Sequence, residues 1–236
     1  RKNVHLKHRG TLLVTDSLNY DKLYDLGYFF DGGKLYDGKN TLVSDWGEYS
    51  PQTREAVFNY HVKLTNERFT LTSDTLHYNT LTKITHIVGP SNINSDGNRI
   101  YTERGYYDTA KDYAELFDRS VVINGKSTMT GDSMYYDKKN GKMHAYNNIV
   151  YNDKGNKNLL TGDYCEYDDT TGYAMATKNA VVRDYSSPDT LFMHADTFKI
   201  FTYNIRTDSV YRLVHGYHKA RAFRSDVQSV CDSLKY

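Results

Sequence analysis

Eight acidic side chains recur at one place in this chain: Asp16, Asp45, Asp74, Glu103, Asp132, Asp163, Asp196 and Asp232. A ladder of carboxylates could hold cations, or pair two acids for proton transfer. Two facts of pattern argue against both. Each acid follows a small residue, and a short acid beside Ser, Thr or Gly caps a bend through its own backbone. A position repeated eight times is architectural, whereas an active site is singular. Calcium-binding β-rolls use a much shorter Gly-Asp repeat. The acids five residues on (Asp21, Asp108, Asp137, Asp168) suit the start of turns. His5 and His8, like His215 and His218, are three apart, which on a strand points them to opposite faces. Nothing has zinc-ligand spacing. Cys165 and Cys231 lie two repeats apart, roughly 19 Å at strand spacing, too far for a disulfide, so both are expected as free thiols. There is no nucleophile elbow or phosphate loop. No catalytic residue, metal or cofactor is expected, and the chain does not read as an enzyme.

What the acids do mark is a repeat. Successive anchors are 29, 29, 29, 29, 31, 33 and 36 residues apart. Three residues before the anchor stand Leu13, Leu42, Leu71, Ile100, Met129, Leu160 and Met193. One before it the side chain is small: Thr15, Ser44, Ser73, Thr102, Gly131, Gly162 and Ala195. Two after it come Leu18, Leu76, Met134, Cys165, Phe198 and Leu234, with Gly47 and Gly105 as exceptions. Four after it come Tyr20, Tyr49, Tyr78, Tyr107, Tyr136, Tyr167 and Tyr236, with Ile200 in one copy.

Strand side chains alternate faces. The positions before and after the anchor have opposite parity, so both sets share one interior only if the alternation slips at the anchor. A bulge or corner does that. Stretches such as 136–142 and 167–173, with Gly after polar residues, then turn the chain. A returning strand follows, with Leu35, Val62, Ile93, Val121, Ile149 or Val181 facing inward. Each repeat is thus a bent hairpin, and stacked copies make an all-β, open antiparallel sheet folded into a trough with an apolar lining.

Composition agrees. The chain of 236 residues has 23 Tyr, 9 Phe and one Trp, with 30 basic against 29 acidic side chains and a net charge of +1. Near neutrality gives no field to steer a polyanion, so nucleic acid is not an expected partner. Mean hydropathy is −0.72, so Tyr and Met must serve many interior positions. No apolar run reaches the roughly 18 residues of a transmembrane helix. No linker signal interrupts the repeat, and residues 1–236 are expected to form one domain. The pattern is cut mid-unit at both ends, which suggests an excerpt of a longer array.

The unit hydrophobic-x-(S/T/G)-D-x-h-x-Y-(D/N), a turn and a returning strand resembles the OstA/LptA family. Residues 129–150 and 159–182 carry the closest copies. The longer, Tyr-rich units look most like the larger OstA-like proteins of Bacteroidetes type. The resemblance implies a periplasmic β-jellyroll (β-taco), associated with the outer membrane, whose groove takes the acyl chains of lipopolysaccharide. It also implies end-to-end association with other Lpt-type β-jellyroll domains through edge strands, forming part of a bridge between membranes. The expected lining is Leu13, Leu18, Leu42, Leu71, Leu76, Ile100, Met129, Met134, Leu160, Met193 and Phe198. A different reading of the same pattern is a cell-surface scaffold with a solid core and a Tyr-rich outer face that binds glycan or protein. An outer-membrane barrel fits poorly, because charged residues are frequent in every strand.

Overall fold

The computed structural model describes residues 3–95, 97–205, 207 and 209–236. The fold is all-β, and the described strand pairings are antiparallel, as tandem hairpins require. The chain divides into two compact units, residues 1–117 and 118–236.

Unit 1 opens with β1 (Val4–His8), β2 (Thr11–Thr15), β3 (Asn19–Asp21), β4 (Leu26–Phe29), β5 (Gly33–Asp37), β6 (Asn40–Ser44) and β7 (Trp46–Tyr49). It continues with β8 (Glu55–Thr65), β9 (Thr70–Asn79), β10 (Ile84–Ser95) and β11 (Asn98–Asp108). The strand β12 (Tyr113–Asn124) runs through the boundary between the units. In the first copies the two arms of the bent hairpin are separate strands. Before the anchor, β2 pairs with β5 and β5 with β6. After it, β3 pairs with β4 and β4 with β7. From β8 onward single strands run through both arms.

Unit 2 continues with β13 (Ser127–Asp137), β14 (Lys142–Asp153), β15 (Asn158–Asp168), β16 (Tyr173–Asp184), β17 (Leu191–Tyr203), β18 (Tyr211–Arg224) and β19 (Val227–Lys235). Successive strands pair in order. The divergent stretch 204–225 supplies most of β18; Arg206 and Asp208 within it lie outside the described residues.

The slip of alternation sits where the anchors place it. In β9, Leu71 and Ser73 are buried before Asp74, and Leu76 and Tyr78 after it. The partner strands bend through consecutive residues with left-handed backbone: Tyr60–His61, Asn147–Asn148, Lys178–Asn179 and His218–Lys219. The ladder loses register at these places, so bulge and corner coincide.

Three anchor carboxylates bond differently from expectation: at Asp45, Asp132 and Asp163 the partner is a side chain at the neighbouring corner. Asp45 lies 2.7 Å from His61 Nδ1, and Asp132 and Asp163 accept from the amides of Asn148 and Asn179 at 2.6 and 2.9 Å. The exposed His61 is thereby pushed above its ordinary pKa by the hydrogen bond and charge of Asp45. The residue before the anchor closes the bend in unit 1. Ser44, Ser73 and Thr102 hydroxyls donate to the carbonyls of Trp46, Thr75 and Arg104 at 2.6, 2.9 and 3.0 Å. Turns behave as expected: Asp108 and Asp168 accept two backbone N–H groups each.

Candidate functional site: the apolar interior

Cross-strand neighbours turn the repeat positions into continuous rows. Three residues before the anchor, the row in unit 1 is Leu6, Leu13, Leu35, Leu42, Leu64, Leu71, Ile93 and Ile100, each directly opposite the next. From Leu35 to Ile93 its members are at most 1% exposed. The matching row in unit 2 is Met129, Tyr151, Leu160, Val182, Met193 and Ala222. Here exposure rises to 5% at Met129, 6% at Leu160 and 7% at Val182.

The second row lies beyond the corner. In unit 1 it is Phe29, Gly47, Phe58, Leu76, Ile87 and Gly105. The two glycines that break the sequence pattern now have a reason. A Cβ on Gly47 would stand 2.6 Å from the Phe29 ring, and one on Gly105 would stand 2.4 Å from the Glu115 carbonyl oxygen. At Gly47 a phenylalanine on the returning strand fills the place of the missing side chain. In unit 2 the row is Met134, Ala145, Cys165, Ala176, Phe198, Gly216 and Leu234.

Ten of the eleven expected lining residues are buried in these rows. Leu18 is the exception: it is half-buried in the corner between β2 and β3, outside the row. Val121 and Val181 are also half-buried, and Ser120, Ala180 and Val182 take the buried places beside them. Cys165 and Cys231 are free thiols, as their spacing requires. Burial pushes the Cys165 thiol up to about 12, so it sits in the lining as a neutral, weakly polar group. Among the described residues, no group of three His, Cys, Asp or Glu side chains is placed to hold a metal. Among the described residues, no helix is long and apolar enough to cross a membrane.

The far ends of the two arms form the mouth of each roll, and sequence reading missed what happens there. In unit 1 the Tyr78 hydroxyl, from the arm after the anchor, donates to Asp37 at 2.7 Å and accepts from Asn40 at 2.9 Å, both on the other arm. Lys83 adds a bond to Asp37 at 2.5 Å. Arg68 reaches from the opposite side to Asp112 at 3.2 Å and to the Thr109 carbonyl at 3.2 Å. His8 and the Tyr49 hydroxyl close the first copy at 3.0 Å. Phe69 packs on Tyr107 with ring centres 4.6 Å apart beneath this network. Burial, then the bond to Asp37, pushes the Tyr78 phenol well above its ordinary pKa. Tyr78→Phe would strand the partners of a buried hydroxyl, so a loss of about 1–3 kcal/mol is expected, read as a lowered urea midpoint.

Residues 1–74 match the family model described as OstA-like protein. Among solved structures the fold is similar to LptH from Pseudomonas aeruginosa, described as the LptA homologous periplasmic component of the conserved lipopolysaccharide transport device. That match has 20% identity and a TM-score of 0.43, and covers 46% of this chain and 82% of that one. No curated protein matches in sequence. The family that the repeat resembles and the family whose model matches residues 1–74 are the same.

Proposed function

We propose that the chain is a non-enzymatic carrier of lipopolysaccharide in the periplasm, shielding lipid A acyl chains between the two faces of its bent sheet. The observation that carries this is the pair of apolar rows in each unit, which run strand to strand without a charged side chain. Such a lining suits a chain-like apolar ligand, each buried methylene contributing about 0.8 kcal/mol. The lining residues expected from sequence are proposed as its contacts, Leu18 at the margin. The match of residues 1–74 to the OstA-like family model supports the cargo. End-to-end association with other β-jellyroll domains, which the family resemblance implies, is part of the same proposal, since exposed strand edges accept a further strand.

One observation favours a scaffold instead. The interior is filled by its own side chains, and the outer face of unit 2 carries a packed set of rings, with Tyr146 5.2 Å from Tyr164 and 5.7 Å from Tyr135 between ring centres. A photo-crosslinking residue at Met134 separates the two readings in cells. Adducts with lipopolysaccharide are expected from that interior site. Adducts only from a crosslinker at Tyr146, on the outer face, would replace the carrier with the scaffold.

A further inference from the structure

An acyl chain cannot enter rows whose buried members are at most 7% exposed unless the two arms part, and the two units differ in how firmly their arms are held. Three independent features show the difference. At the mouth, Tyr49, Tyr78 and Tyr107 of unit 1 are at most 4% exposed, with Tyr20 of the first copy exposed, whereas in unit 2 Tyr136 is half-buried and Tyr167 is 40% exposed. The buried network of Asp37, Asn40, Tyr78 and Lys83 has as its unit 2 counterparts Arg212, 3.8 Å from Asp153, and the Tyr236 hydroxyl, which donates to Asp184 at 2.7 Å. At the corner, the hydroxyls of Ser44, Ser73 and Thr102 staple the bend in unit 1, while Gly131, Gly162 and Ala195 hold those positions in unit 2. In the lining beyond the corner, the returning strands carry Phe29, Phe58 and Ile87 in unit 1 but Ala145, Ala176 and Gly216 in unit 2. Fewer apolar contacts then bind the second face to the first.

We infer that unit 2 is the part that opens sideways to admit an apolar chain, latched by Arg212–Asp153 and Tyr236–Asp184, while unit 1 stays closed. The identity of the chain as acyl rests on the proposed function; the unequal opening does not. Local opening of this kind draws on the less stable part of a fold.

Cys165, buried at 5% in the unit 2 lining, is a built-in reporter. In a Cys231→Ser background its modification by N-ethylmaleimide is compared with that of the thiol in Ala56→Cys, carried in a Cys165→Ala, Cys231→Ser chain. Ala56 is fully buried on β8, opposite Tyr49 and Tyr78. Each rate is divided by that of the same variant in denaturant, which removes intrinsic reactivity. The corrected rate at Cys165 should exceed that at position 56 by about tenfold or more, an opening less costly by about 1.4 kcal/mol. Asp153→Asn and Tyr236→Phe should raise it further and leave position 56 unchanged. Equal corrected rates, or faster labelling in unit 1, would overturn the inference. Added lipid A should slow labelling at Cys165. If it does not while the contrast between units persists, the acyl-chain reading fails and the unequal opening stands.

Discussion

Leu71→Ala should lower the stability of unit 1 by about 2–5 kcal/mol. Leu71 is fully buried, with Leu64 directly opposite on one strand and Ile93 on the other. Truncation removes three carbons from a site bounded on both sides by strands that are hydrogen-bonded in place, so collapse around the cavity is limited. A domain is commonly stable by only about 5–15 kcal/mol, so the loss is a large share of the total. Leu18→Ala makes the comparison decisive. Its side chain has the same chemistry and is equally expected in the lining, but it is half-buried in the corner outside the rows. Its loss should stay below about 1 kcal/mol, as for most substitutions away from a packed core. Urea denaturation followed by circular dichroism reads both. Equal losses would mean that the rows are not the energetic spine of the fold.

The rows were legible in sequence because two local rules fix them. Alternation with period two sets which side chains share a face, and a small residue followed by an acid marks where the alternation slips. Leu13, Leu42, Leu71 and Ile100 obey both rules and land in one row. The corner was legible on one strand only. Its other half needs two consecutive left-handed residues, and these are as different as Tyr60–His61 and Lys178–Asn179. Asn tolerates that backbone, but Tyr and Lys carry no local signal for it. Tertiary pairing imposes the conformation, so no local pattern announces it. The mouth was hidden for another reason. Asp37 and Tyr78 lie 41 residues apart, more than one repeat, so no motif within a unit brings them together. Stacking the copies made every tyrosine four residues after the anchor look equivalent. Burial divides them, because the polar partner across the mouth differs from copy to copy.

Gly47→Leu shows how that division works inside the lining, and its expected result depends on a second residue. Alone, the substitution should cost well over the 1–3 kcal/mol typical of overpacking. The new Cβ would already stand 2.6 Å from the Phe29 ring and 3.0 Å from the Val57 carbonyl oxygen, before any further carbon is placed. Leucine is the residue that the repeat pattern favours there, as Leu76 shows one copy later, so sequence alone would score the change as an improvement. Phe29→Ala alone should cost about 3–5 kcal/mol, since its ring is 1% exposed and covers both Gly33 and Gly47. Combined, the two changes exchange a ring reaching over from β4 for a side chain rising from β7, directly opposite. The double variant should therefore be more stable than the sum of the single losses predicts, with a coupling of about 0.5–3 kcal/mol. Additive losses would mean that the backbone at Gly47, held close to Val57, and not the Phe29 ring, demands glycine. A favourable coupling would show that the lining is specified by the volume filling each row, whichever strand supplies it.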